Sequence, residues 1–302
     1  MMGNEMNKNQ TSRVALVRTD DRIAGVTKAI KLLGLNPVKG KAVALKPNFN
    51  TADPSPASTH NDSLRTLIIN LRQMGATKIV VADRSGPVET RRVIEEKGIF
   101  KMAKQLDFEV INLEESANGW VHLQPEGSHW AKGFDFARLF YEAECVVETC
   151  CLKTHQFGGH FTMSLKCTVG MVSRRNMNEL HSSPHQRKLI AEMNTAYSPS
   201  LIVLDGIEAF VNGGPMTGKK ATANVILAGD DRIAIDASGV AILRSLGTTP
   251  EVTRGPVFAQ EQLARGIELG LGISKPEHIE FVTGDKESSD FAKQLKEILL
   301  EK

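Results

Sequence analysis

The chain has 302 residues, 41% of them hydrophobic, 24% charged and 5% aromatic, and its formal net charge is +2. This length suits one large α/β domain or two ordinary ones, and the composition is that of a folded globular chain. The near-neutral balance argues against a nucleic-acid footprint and against general attraction to a membrane surface, and no Lys/Arg run alternates with aromatics as a single-strand stacking platform requires.

The opening MMGNEMNKNQTSR is polar and holds no apolar segment. Residues 1–12 are therefore expected to be a disordered tail with no secretory signal, and the protein to be cytoplasmic. No stretch approaches the roughly 18 apolar residues of a membrane helix. VALVR (14–18) reads as a strand, and DRIAGVTKAIKLLG places Ile23, Val26, Ile30 and Leu33 on one helical face. KAVALKPN (41–48) is a second strand stopped by Pro47. NDSLRTLIINLRQMG is a helix with Leu64, Leu67, Ile68, Leu71 and Met74 in one stripe and Gly75 at its end. KIVVAD (78–83) is a third strand. SGPVETRRVIEEKG is expected to form a helix capped by Ser85, with Pro87 near its start and Gly98 past its end. FEVINL (108–113) continues the alternation, and GWVHLQPEGSHWAKG reads as a hairpin around Pro125, Glu126 and Gly127. CVVETCCLK (145–153), LIVLDG (201–206) and NVILAGD (224–230) are further strands, while DRIAIDASGVAILRSLG, PVFAQEQLARGIELG and DFAKQLKEILLEK are helical by pattern. Segments 154–184 and 206–222 are Gly-rich and expected to be irregular.

Strands alternating with helices predict an α/β fold: a mainly parallel sheet with helices on both faces, plus a hairpin excursion and Gly-rich loops. A single domain over 13–285 is expected, with a C-terminal helix in 286–302 packing on it; splits near residue 115 or 155 are the alternatives.

In open α/β sheets, ligands gather at the carboxyl ends of parallel strands. That rule collects scattered polar residues. Strand 41–46 ends at Lys46, Pro47, Asn48 and Asn50; strand 78–82 at Asp83, Arg84, Ser85 and Gly86; strand 145–152 at Lys153 and His155; strand 201–204 at Asp205 and Gly206. Lys46, Lys153 and Lys166 supply positive charge for a carboxylate or phosphate, and His155 titrates near neutrality. The bland counterparts are a lysine snorkelling at a strand end and a histidine bonded to backbone. Gly158, Gly159, Asn212, Gly213 and Gly214 are candidate ligand-binding backbone and amide positions.

His155 and His160 form H-x-x-x-x-H, which is not the i, i+4 spacing of a helical metal pair. They remain weak candidates for a divalent metal, the one cofactor in view. His181 and His185 are at i, i+4, but Pro184 between them argues against one helix face. GGPMTGKK (213–220) nearly matches a phosphate loop, but Lys220 replaces the hydroxyl and a strand follows. Asp236, flanked by apolar residues in its helix, should be buried and bonded to a helix or loop amide. The four cysteines, 145, 150, 151 and 167, include no C-x-x-C pair; buried free thiols are expected. No G-x-S-x-G elbow and no G-x-G-x-x-G after a strand is present.

VALKPNFN, the strand-end Asp83, CLKTHQFGGHFTMSLKCTVG, VLDGIEAFVNGGPMTGK and DDRIAIDASG, in this order, resemble domain of unknown function family 362 over about residues 13 to 285. The resemblance implies an α/β fold and a shared pocket rather than a particular activity. Some relatives append a ferredoxin-like domain with iron–sulfur clusters; this chain lacks the cysteine spacing for one. Cys167 stands where family members often place Asn. The Gly-Gly-Pro loop after an Asp-Gly turn is also similar to that of lactate racemase-like proteins, which hints at reaction class.

The expected function is acid–base chemistry on a small anionic metabolite. Lys153, His155, Lys166 and Asp205 would be catalytic. Lys46, Asn48, Asp83, Gly158, Gly159, Asn212, Gly213 and Gly214 would bind the ligand. The alternative is a non-catalytic metal- or cofactor-binding accessory protein linked to iron–sulfur or redox systems. Expected partners are a small anion and a second copy in a homodimer, with neither nucleic acid nor membrane.

Overall fold

The structure, a computed structural model, describes residues 11–116 and 118–301. The tail expected over 1–12 lies, through residue 10, outside the described residues. Eleven strands are present among them: β1 (Ser12–Arg18), β2 (Ala42–Lys46), β3 (Lys78–Asp83), β4 (Glu109–Asn112), β5 (Trp120–Leu123), β6 (Phe134–Ala137), β7 (Cys145–His155), β8 (His160–Thr162), β9 (Pro199–Gly213), β10 (Gly218–Gly229) and β11 (Ile279–Val282). Nine form one sheet in the order β11-β1-β10-β9-β7-β2-β3-β4, with β8 pairing β7. β9, β7, β2, β3 and β4 are parallel neighbours, as are β1 and β11. β10 runs against both β1 and β9, and β8 against β7. The fold is therefore α/β with a mostly parallel sheet.

The apolar runs in the central strands follow from burial on two faces. Along β7, Val146, Cys150 and Leu152 enter one core with Ile233, Ile235 and Leu189. Cys145 and Val147 enter the other, with Val26, Leu64 and Ile68. The first core lies under helices Arg232–Ser245 and Gln186–Met193, the second under helices Arg22–Leu33 and Asn61–Gln73. Each Val, Leu or Ile so enclosed contributes about 1.5–3 kcal/mol. Helix Lys286–Leu300 packs on β1 and on helix Arg232–Ser245.

Three local expectations need correction. Segment 206–222 is not irregular: β9 continues to Gly213 and returns as β10, a long hairpin closed by residues 214–217. Gly214 is required there. Its φ is +71°, and a Cβ would collide with the Thr154 carbonyl oxygen. Ser85 caps no helix. Helix Thr90–Glu96 starts after Glu89, a second helix runs over Ile99–Leu106, and the Ser85 N–H donates to Thr90 Oγ1 at 2.9 Å. Segment 154–184 contains β8 and helices Ser164–Cys167 and Met177–Ser182. The hairpin excursion is present as β5 and β6, with Trp120 opposite Ala137.

Candidate functional site

β2 ends at Lys46, which pairs with Glu148, yet β7 runs on through His155. β7 therefore overhangs the ends of β2 and β3, and the notch beside it is roofed by Ser164–Cys167 and the turns through Met171. A cavity of about 50 Å³ sits there. It is lined by Lys46, Asn48, Asp83, Lys153 and His155, expected from the strand ends, and by Lys166, expected beside them. Asn50, Arg84 and Gly86, also collected at the strand ends though given no role there, line it too, and so do Thr162, Cys167 and Pro215, which were not collected. At about 10–15 Å³ per water, this space holds a few waters or one small anionic group.

The charges are unbalanced. Lys46, Arg84, Lys153 and Lys166 face one carboxylate, Asp83. Lys46 Nζ lies 2.8 Å from Asp83 Oδ1, and both residues are buried. Burial opposes the Lys46 charge, but Asp83, Cys167 and Glu148 outweigh it and hold its pKa above the ordinary lysine value. Asp83 Oδ2 also accepts the Phe49 N–H at 2.7 Å, and Oδ1 the Arg84 N–H at 2.7 Å. Gly170 backs this pair so closely that a Cβ there would collide with Asp83 Oδ1.

The other three cations have no carboxylate of their own. Lys153, 0% exposed, donates to Asn48 Oδ1 at 2.9 Å, to the Ala57 carbonyl and to the Pro215 carbonyl at 3.3 Å. All its acceptors are neutral, and burial lowers its pKa. Arg84 donates to the carbonyls of Val172, Ser85 and Val169, and burial pulls it down to about 10. Lys166, 6% exposed, forms no hydrogen bond from Nζ among the described residues. Burial first, then Lys153 and Arg84, bring it down to about 7. At that value both its charged and its neutral form are populated near neutrality.

His155 stands beside Lys166. A Cβ on Gly159 would meet Lys166 Cε at 2.8 Å and His155 Nδ1 at 2.9 Å, so that glycine keeps both side chains in reach of each other. Burial, then Lys166 and Lys153, push the imidazole well below its ordinary pKa, so it is neutral at pH 7. Its Nδ1, Asn50 Nδ2 and Thr162 Oγ1 are buried without a hydrogen-bond partner among the described residues. Unsatisfied polar atoms cost about 1–3 kcal/mol each, and these three line the same basic cavity.

Lys166 is held by a residue remote in sequence. Asp236 accepts the N–H groups of Ser164 at 2.8 Å and Leu165 at 3.0 Å, which fixes the start of the short helix. This is the buried amide contact expected for Asp236. Its carboxyl is raised to about 8 by burial. Cys167 is a neutral thiol, raised to about 12 by burial, and its Sγ lies 3.7 Å from Lys46 Nζ. The four cysteines are free and buried.

Asp205 is the expected catalytic residue that the fold removes from this place. Because β9 continues beyond it, Asp205 is in mid-strand, beneath helices Arg22–Leu33 and Asn61–Gln73. Its Oδ2 takes Arg22 Nε at 2.9 Å and Ser63 Oγ at 2.6 Å, and it does not line the cavity. Gly158, Asn212, Gly213 and His160 line a second cavity of about 340 Å³, and His155 lines both. His155 and His160 pair across the β7–β8 hairpin. Among the described residues no three His, Cys, Asp or Glu side chains converge to hold a metal. His181 and His185 fall in different elements, one in helix Met177–Ser182 and one just before helix Gln186–Met193. Arg84 was collected at its strand end but given no role, Pro215 lay in the Gly-Gly-Pro loop noted in the sequence, and Thr162 had no sequence signal.

A thylakoid-associated protein, sll1697, of Synechocystis sp. (strain ATCC 27184 / PCC 6803 / Kazusa) is 25% identical over 255 residues, covering 80% of this chain and 74% of that protein. The lactate racemase apoprotein of Thermoanaerobacterium thermosaccharolyticum aligns in structure over 95% of this chain and 87% of its own, with a TM-score of 0.49 and 10% identity. No helix of the described residues is long and apolar enough to cross a membrane. The family described as Domain of unknown function (DUF362) matches residues 43–241, including β2, β3, β7 and the Lys166 helix, and the chain belongs to that family.

Proposed function

We propose that the protein is an enzyme that binds a small carboxylate or phosphate in the basic cavity and moves a proton on it through Lys166 and His155. The observation that carries this reading is Lys166: a buried amine, without a hydrogen-bond partner among the described residues, beside two further cations that have no carboxylate. An anion there offsets charge that the protein leaves uncompensated. It also supplies acceptors for Lys166 and for the Asn50 amide.

Lys166 near 7 populates both amine and ammonium at neutral pH, and His155 offers a neutral imidazole. Such a pair suits proton removal and return at a carbon next to a carboxylate, as in racemisation or isomerisation. Lys46 and Asp83, as a closed ion pair, supply rigidity rather than a titrating group. The test is direct: substrate-dependent exchange of carbon-bound hydrogen for deuterium, followed by NMR over a panel of 2-hydroxy and 2-amino acids. His155→Ala should abolish exchange with little change in melting temperature. An intact exchange rate in His155→Ala, or the absence of any carboxylate or phosphate binding to the wild type, ends the proposal.

A further inference from the structure

The larger cavity is not used by the chemistry above, yet it shares a lining residue with the basic cavity. His155 lines both. The larger space, about 340 Å³, is lined by Thr154, Gln156, Asn212, Thr249, His160 and Glu251 together with His155 and two glycines. Hydroxyls, amides and imidazoles can both donate and accept hydrogen bonds, as a partner for alcohol groups must. The one formally charged lining residue is Glu251. Arg187, paired with Glu261 at 2.5 Å, donates to the Gly158 carbonyl at 2.8 Å, and with Arg254 it stands near His160 beside Glu251 and Glu261, so the charges at this end are mixed. His160 is lowered by burial and by Arg187, which keeps it neutral.

We propose that the two cavities are the two ends of one site, and that its ligand is a hydroxyl-rich chain carrying a single anionic group: a sugar acid or a polyol monophosphate. The anion enters the basic cavity, past His155, and the hydroxyls fill the larger one. The charge pattern selects one anionic end. Lys153, Lys166 and Arg84 attract it, whereas at the other end Arg187 and Arg254 stand beside Glu261 and Glu251 and leave no such excess for a second. The sizes agree with this division, since the smaller cavity admits one anionic group and the larger a body of several carbons. The inference rests on the anion-binding reading above and names the rest of its ligand.

Isothermal titration of the full chain tests it with acetate against gluconate, and inorganic phosphate against glucose 6-phosphate and fructose 1,6-bisphosphate. In at least one of the two series the extended ligand should bind ten or more times tighter than its headgroup, and the bisphosphate should gain nothing over the monophosphate. The series that gains identifies the headgroup as carboxylate or phosphate. A double variant, Thr249→Ala with Glu251→Ala, alters half-exposed and exposed positions and leaves the fold intact. It should erase the gain without changing acetate or phosphate affinity. Headgroups that bind while no extended ligand gains overturn the two-ended site alone. A gain that survives the double variant, or a tighter bisphosphate, overturns it as well. If no headgroup or extended ligand binds, the anion-binding reading and this one fall together.

Discussion

Replacing Lys166 with Met keeps the length of the side chain and removes the amine. In the folded protein the amine sits near 7, against an ordinary value of 10.5. A lowered lysine means that the unfolded chain binds the proton more tightly, so the penalty is complete below pH 7 and is relieved as pH rises toward 10.5. At about 1.4 kcal/mol per pH unit, the charge costs about 5 kcal/mol of stability at pH 6 and about 2 kcal/mol at pH 9. The groups around it, Lys153, Arg84, His155 and the Lys46–Asp83 pair, are common to both proteins and cancel to first order in the difference. Urea unfolding of wild type and K166M at pH 6, 7.5 and 9 should show the variant more stable at pH 6, with the advantage shrinking by about 3 kcal/mol at pH 9. A difference that does not change with pH, or a variant less stable at pH 6, would refute an unpaired buried amine. Saturating phosphate or carboxylate should narrow the gap at pH 6, because the anion binds more tightly to, and so stabilises more, the protein that has the Lys166 charge.

Three further outcomes separate site from scaffold. Asp205→Ala removes the acceptor of Arg22 Nε and Ser63 Oγ, leaving Arg22 its contacts to Ser55 and Glu208, and should lose about 1–3 kcal/mol in urea unfolding, with anion affinity by calorimetry unchanged; lost affinity in a folded variant would return Asp205 to the site. Asp236→Ala frees two buried N–H groups under Lys166 and should lower both stability, by about 1–3 kcal/mol per group, and anion affinity, with Asp236→Asn retaining part of both; unchanged affinity would mean that the helix start does not position the amine. Treatment with a chelator should leave anion affinity intact, since lysines, an arginine and amides line the cavity; affinity lost to the chelator and restored by iron, nickel or zinc would favour the metal-binding accessory role.

Much of the architecture was readable from patterning. The alternation of strands and helices, the two-faced burial of 145–152 and the buried partner of Asp236 all follow from periodicity and the cost of a lone carboxylate in an apolar helix. The strand-end rule also collected Lys46, Asn48, Asn50, Asp83, Arg84, Lys153 and His155, which line one cavity together with the separately noted Lys166. It misplaced Asp205 because an Asp-Gly pair reads as a strand end, whereas β9 passes through it and pairs with β10 to Gly213. Local signals report where a chain tends to turn, and only pairing partners decide whether it does.

What the amino-acid order determined alone is the inventory: which short segments favour strand or helix, and which carry basic or titratable tips. What folding decided is the balance of charge among them. Lys46 received Asp83, while Lys153 was given neutral oxygens and Lys166 no partner among the described residues. Three lysines equivalent on paper therefore ended with one raised and two lowered affinities for a proton, because that affinity depends on distances to other charges and to water, which are set across the fold rather than along the chain.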